Sequence, residues 1–456
     1  MAGYIVNTTA DQAAMLQRIG ITSIEELFSP IPTELRLHRP LQLPPGMTEQ
    51  ELTRHVQSLA SRNQSARDRI CFLGGGAYDH FIPSVVDVVA SRSEFYTAYT
   101  PYQAEASQGT LQTIYEYQTL ICQLTGMDVA NASLYEGGSA AAEAMLMALG
   151  MTGRSGEVLL PESVHPEYRQ VVATYAANLQ CRVVTLPTPD GFLDPSEVAR
   201  RVNDQTVCLI VQSPNFFGHL EEVADLAKVT QSVGALLIHS FDPISLGVLK
   251  RPADYGADIA VAEGQSLGTP LGYGGPYLGI LACRSEYLRK IPGRLVGQTT
   301  DRHGQRCWTL TLQPREQHIA RARASSNICT NQGLYALRAA VYLAALGPHG
   351  LRETAERCLK LAHFAARQLC AIPGVHIRFP DRPFFKEFTI NLPIAAKSVL
   401  PVLRDAGFDA GLPLARWYPR WPTALTVAVT EQRTRGEIEG LANALREFFE
   451  SVDSRP

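Results

Sequence analysis

The sequence predicts a mixed α/β fold: a large domain on a mostly parallel sheet, followed by a smaller α+β domain. Short apolar runs recur at 158–161, 183–186, 207–211, 236–239, 259–262 and 278–283, with helix-like segments around 165–177, 194–203 and 220–233 between the earlier ones. Strands separated by helices at that interval are what βαβ units require, and they give a parallel sheet wrapped by helices. After Gly333 the pattern changes to two long helices, near 334–346 and 351–369, parted by Gly347, Pro348 and Gly350. Glycine and proline together are a stop signal for a helix. A chain of 456 residues also exceeds one compact core, so more than one domain is expected.

In chain order, residues 1–70 read as an N-terminal arm or helical cap. Met15, Leu16, Ile19, Ile24 and Leu27 suggest two short helices, the proline-rich run 30–45 an extended connector, and 48–65 a further helix. The large domain is expected over 71–330 and the small one over 331–456. The latter takes strands near 375–379, 385–392 and 425–429, and a last helix that opens T-R-G-E from Thr434. That opening is a capping box, in which Thr434 and Glu437 satisfy exposed backbone donors reciprocally.

Composition excludes several classes. With 45% apolar and 19% charged residues the chain reads as an ordinary globular protein, and a net charge of −3 gives no reason to expect nucleic acid or a membrane surface. The nine cysteines form no C-x-x-C pair and lie among apolar neighbours, which predicts reduced thiols, and no zinc pattern accompanies them. No secretory signal and no 18-residue apolar run is visible, so the cytoplasm is the expected compartment.

The stretch AEGQSLGTPLGYGGP, 262–276, is the most informative for chemistry. It follows an apolar strand with a Gly-rich turn, a setting in which an aldehyde-cofactor enzyme places its Schiff-base lysine. Lysine is the side chain that condenses with such an aldehyde, and Gln265, the residue at that position, carries a non-nucleophilic amide. The chain holds only six lysines, none in the first 227 residues. Either the cofactor chemistry is absent or another chain supplies it.

Four further segments are candidates. Gly137, Gly138 and Ser139, in YEGGSAAAEA, open an Ala-rich helix whose free N–H groups could hold a phosphate, or could simply be capped. His239 and Asp242 close a strand where open α/β sheets place ligands; Asp242 could pair with a protonated cofactor ring nitrogen, or form a turn before Pro243. The segment EFYTAYTPYQAEASQGTLQ, 94–112, combines Tyr96, Tyr99, Tyr102, Gln103 and Gln108 without the periodicity of a core element. It reads as a binding wall, or as a surface hairpin. In SSNICTNQG, 325–333, the side chains of Ser326, Asn327 and Thr330 could contact a phosphate or cap the next helix. FLGGGAYD, 72–79, lacks the third glycine of a dinucleotide fingerprint because Asp79 occupies it.

Together these segments resemble a known family, glycine decarboxylase, the P-protein of the glycine cleavage system, in the form of its N-terminal or alpha chain. The resemblance runs through FLGGGAYDHFIPSVV, the stretch from SRSEFYTAYTPYQAEASQGTLQ to YEGGSAAAEAM, FDPISLGVLKRP, AEGQSLGTPLGYGGPYLG and SSNICTNQGLYAL, and covers most of the chain. The chain departs from the family's GAGAYDH at Gly74–Gly76 and from its YDGAT-like string at 135–139.

The resemblance implies the pyridoxal-phosphate-dependent transferase fold of type I, with a seven-stranded large domain. It also implies that the Schiff-base lysine and covalent pyridoxal phosphate belong to a beta chain, subunit 2, so that no residue here is catalytic. The implied reaction removes CO2 from glycine with the cofactor ring as electron sink, and passes the aminomethyl group to the lipoyl arm of H-protein. Tyr96, Tyr99, Gln103, Gln108, Ser326, Asn327 and Thr330 are expected to build one wall of that site across the interface of an alpha2beta2 heterotetramer. Gly137, Gly138 and Ser139 are a vestigial phosphate cradle. Two alternatives stand beside this one: a self-sufficient enzyme with its lysine displaced to Lys250, and a non-catalytic scaffold or regulatory relative.

Overall fold

The computed structural model describes residues 6–324 and 326–453. Two units divide at Asn63. The first contains helices Thr9–Ile19 and Glu49–Ala60, each started by a threonine capping box (Thr8 with Asp11, Thr48 with Glu51), and short turns of 3-10 helix between them. None of its described residues is buried. Met15, Ile19, Leu27, Phe28, Leu52 and Val56 all stand exposed.

The second unit, from Gln64 onward, is built on a seven-stranded sheet. Its order, by first residue, is Val129, Gly279, Ile259, Leu236, Thr206, Glu157, Arg182. The strands starting at 157, 182, 206, 236 and 259 run parallel, as the alternation of apolar runs and helices predicts, whereas Gly279–Cys283 runs antiparallel to its neighbours. The central parallel strands are mostly apolar and buried because helices cover both faces, whereas the edge strand Arg182–Leu186 is only partly buried. One helix, Gly137–Thr152, is buried almost all round beneath the sheet, which its run of alanines permits.

The C-terminal part is a four-stranded antiparallel sheet with strands His376–Ile377, Glu387–Asn391, Ala424–Ala428 and Leu412–Pro413. Helices Ala396–Asp405 and Arg435–Asp453 share one core with the strands and with Ala362, Ala365 and Leu369 of the long helix Gly333–Cys370. The expected stop inside that helix is a kink: Gly347 adopts φ 61°, and the second half restarts at Pro348. The capping box at Thr434 and Glu437 forms in both directions. Ile70–Cys71 pairs in parallel with Phe408–Asp409 in a separate two-stranded sheet, which ties the segment after Gln64 to the C-terminal part of the chain.

Two elements differ from the sequence reading. The stretch 94–112 is neither free loop nor hairpin: a helical turn at Ser93–Tyr96 and a loop lead into helix Gln108–Thr125. A polar hairpin, Leu295–Thr300 with Arg306–Thr311, escapes detection because its outer half is exposed and offers no apolar alternation. No helix among the described residues is long and apolar enough to cross a membrane.

Candidate functional site

Two pockets answer to the residues singled out in the sequence. The first lies at the C-terminal ends of the parallel strands, where such sheets present ligand sites. It is lined by Tyr78, Tyr168, Gln212, Asp242, Glu263 and Lys386, among others, and its free volume is about 30 Å³. That is room for a water or two.

The pocket is small because its polar groups are matched from within. Gln265 is buried; its Oε1 accepts from the Tyr78 N–H at 2.8 Å, and its Nε2 donates to the carbonyls of Thr269 (2.7 Å) and Tyr78 (3.1 Å). The helix start that could have held a phosphate is capped by two carboxylates. Glu136 accepts from Gly138 N at 2.5 Å and Ser139 N at 2.8 Å, while Glu263 accepts from Gly137 N at 3.0 Å. Glu263 also takes the N–H groups of Gln265 and Leu278, at 2.9 and 3.1 Å. Burial pushes its carboxyl up to about 8, against the pull of those three donors.

Asp242 forms the expected turn, and its partner is a cation of this chain, not a cofactor ring nitrogen. One oxygen accepts from Ile244 N at 2.9 Å and so forms the turn; the other meets Lys386 Nζ at 2.6 Å. Lys386 is 1% exposed and uses its three donors on Asp242, on His80 Nε2 at 3.0 Å, and on the Tyr78 ring, whose centroid lies 3.5 Å away. His80 Nδ1 stands 2.6 Å from Glu431. Burial opposes ionisation of Glu431, yet the His80 ring and its hydrogen bond prevail and hold that carboxyl down at about 2. Tyr78 donates to Glu387 at 2.7 Å, and Gly75 N donates to the other Glu387 oxygen at 2.7 Å.

Cys358 lies close enough to His80 and Glu431 for the three to hold a metal ion. The proton pattern opposes it. An ammonium that donates to Nε2 places the ring proton on Nδ1, leaving neither imidazole nitrogen a free lone pair.

Pyridoxal phosphate does not fit this pocket. There is no amine at 265, the carboxylate that would face a ring nitrogen is paired with Lys386, and the N–H groups that would face a phosphate are taken by Glu136 and Glu263.

The second pocket is open and larger, about 230 Å³. It brings together Tyr96, Tyr99 and Thr330, from segments that are distant in sequence, against an apolar back of Phe95, Ile114, Leu334 and Leu337. Tyr96 and Tyr99 are 68% and 82% exposed. Arg294 lies at its base, 3% exposed, with hydrogen bonds to the Tyr102 hydroxyl (3.2 Å) and to Asn331 (3.3 Å).

The other candidates fall outside this lining. Gln103 and Asn327 are exposed, and Ser326 lines a neighbouring crevice and accepts from Ile328 N at 3.0 Å. Gln108 clamps the Trp308 backbone, donating to its carbonyl at 2.8 Å and accepting from its N–H at 3.0 Å. None of the 326–330 side chains caps the following helix, which starts at Gly333 beyond their reach and has no side-chain cap. Sequence reasoning missed Arg294, Glu136, Glu263 and Lys386. Lys386 left a signal, as a lone lysine in the apolar strand FFKEFTI.

The seven-stranded, mostly parallel sheet with its smaller C-terminal sheet is the fold of the pyridoxal-phosphate-dependent transferases of type I. The family model of the glycine cleavage system P-protein matches residues 2–445, and the chain belongs to that family. Its relatives include the probable glycine dehydrogenase (decarboxylating) subunit 1 of Carboxydothermus hydrogenoformans, 50% identical over 97% of this chain and 99% of that one. The protein of the same name from Moorella thermoacetica is 49% identical over the same shares. A crystal structure of glycine decarboxylase (P-protein) in inhibitor-bound form is 44% identical, covers 98% of this chain and 99% of its own, and superposes with a TM-score of 0.89. The sphingosine-1-phosphate lyase of Burkholderia pseudomallei shares the fold at 19% identity, covering 91% of this chain and 93% of its own, with a TM-score of 0.65.

Proposed function

We propose that the chain is the alpha subunit of a two-subunit glycine decarboxylase, that is, glycine dehydrogenase (aminomethyl-transferring, decarboxylating), an oxidoreductase of the glycine cleavage system. The beta subunit, subunit 2, carries pyridoxal phosphate on its own lysine, and the cofactor supplies the electron sink for loss of CO2 from glycine. Lipoylated H-protein accepts the aminomethyl group, and alpha and beta chains pair into an alpha2beta2 heterotetramer in the cytoplasm. Residues 1–70, 71–330 and 331–456 serve as arm, main body and small lobe. This chain holds no catalytic residue and no cofactor.

The observation that carries this reading is the open pocket. Tyr96, Tyr99 and Thr330 line it together with Arg294, and no described residue buries Tyr96 or Tyr99. Exposed aromatic side chains around a concave polar site are what an interface offers a partner. Tyrosine presents a rigid apolar face and a hydroxyl that can orient a substrate or exclude water, and Thr330 adds a short donor. Gln108 acts at one remove, by fixing the helix that follows the tyrosine loop to the 306–311 strand.

Reconstitution tests the assignment. The purified chain should show no internal Schiff-base absorbance and no glycine-dependent CO2 exchange, and addition of subunit 2 should restore both. A lone chain that is yellow and active refutes it, and a pair that assembles without turnover leaves a scaffold in its place.

A further inference from the structure

The contacts in the closed pocket follow a pattern that accidental filling would not give. A phosphorylated pyridine aldehyde presents three polar features: a ring nitrogen that carries a proton, a phosphate, and an aldehyde carbon awaiting an amine. Each has a counterpart here made of protein. Lys386 Nζ offers Asp242 a positive N–H donor at 2.6 Å. Glu136 and Glu263 offer acidic oxygens to three successive N–H groups at the start of the 137–152 helix. Gln265 spends its side chain on backbone groups of Tyr78 and Thr269 instead of on a carbonyl compound.

We propose that this chain carries a built-in substitute for a cofactor. Lys386 replaces the ring nitrogen, Glu136 and Glu263 replace the phosphate, and the pocket takes neither pyridoxal phosphate nor inorganic phosphate. The substitute also has a mechanical role. Lys386 directly precedes the strand Glu387–Asn391 of the C-terminal sheet, whereas Asp242 directly follows the strand Leu236–Phe241 of the large one. The plug fastens the two sheets to each other permanently, where a bound ligand would do so only while present. This inference rests on the fold class and not on the assignment to the alpha subunit, so either can fail alone.

Chemical rescue tests it on the full chain. In Lys386→Ala the lost ammonium is supplied as ethylammonium chloride, with sodium chloride at equal ionic strength as control. The variant should melt several degrees lower than the parent, and ethylammonium, not sodium, should recover part of the loss. Where the variant does not fold, refolding yield with and without ethylammonium is the readout. Equal response to both salts overturns the proposal.

A second arm reads the phosphate end. Inorganic phosphate in equilibrium dialysis should bind the Glu136→Ala, Glu263→Gln double variant at least tenfold more tightly than the parent chain. Stoichiometric binding of phosphate or of pyridoxal phosphate by the parent in this pocket overturns the inference, as does a folded double variant with no gain.

Discussion

The closed pocket and the tyrosine pocket share one chain, yet they treat their polar groups in opposite ways. In the first, every donor of Lys386 and both oxygens of Glu387 are spoken for by this chain. In the second, Tyr96 and Tyr99 face outward. The difference separates a buried polar cluster matched within the chain from a surface cluster left open to solvent. A site that no longer holds a ligand must satisfy its buried groups internally, because an unmatched charge in an apolar setting is costly. A site that serves a partner must leave its groups unmatched until the partner arrives.

The sharpest way to break this comparison is to unbalance the closed pocket. Lys386→Met leaves the Asp242 carboxylate buried without its cation, which should cost about 3–5 kcal/mol in urea unfolding. A loss below about 1 kcal/mol would mean that the pair is incidental. Overpacking the cradle should cost less. A Cβ at Gly137 would stand 2.3 Å from the Tyr168 hydroxyl, so Gly137→Ala should lose roughly 1–3 kcal/mol by the same measurement.

Stability against pH sharpens the comparison further. Glu263 titrates near 8 in the folded chain, above its ordinary value of 4.5, because it is buried. The folded state therefore binds more protons than the unfolded one between those values, and stability falls as pH rises. His165, His219 and His239 behave in the opposite sense. Burial lowers each to about 4 from an ordinary 6.5, so their contribution is complete above 6.5 and is lost as pH falls toward 4. Between pH 6.5 and 8 these three histidines are neutral in the folded state, and their remaining titration in the unfolded state is common to parent and variant. There Glu263→Gln should flatten a decline of roughly 2 kcal/mol, followed by denaturant melts across that range.

The smallest stability effect belongs to the open pocket. Tyr99→Ala should shift unfolding by less than about 0.5 kcal/mol, since the side chain is 82% exposed. The same variant, assembled with subunit 2, should turn over glycine more slowly without dissociating. Unchanged turnover would remove Tyr99 from the site.

How much was legible in the sequence follows from how local each signal is. The strands of the large sheet announce themselves because burial on both faces makes each a continuous apolar run, as in 207–211. Composition marks the tyrosine loop as a candidate wall. Which of its residues face the pocket was not legible, because Gln103 and Gln108 differ from Tyr99 only in where the chain turns them. The closed pocket was illegible for a different reason. Its members come from 75–80, 136, 242, 263, 386 and 431, and no window of sequence holds more than two of its charges. Glutamate at the position preceding a helix is outside the usual set of caps, so Glu136 gave no warning.

The N-terminal unit gives the chain a built-in gauge of assembly. Its helices, of 11 and 12 residues, bury no side chain, and helices of that length are marginal in water on their own. Their amide protons should exchange with solvent deuterium almost as fast as those of an unstructured peptide, while the strands of the large sheet hold theirs to the limit of global unfolding. Any partner that covers Ile19, Phe28 or Val56 will therefore write its presence into the mass of peptides from the first 63 residues.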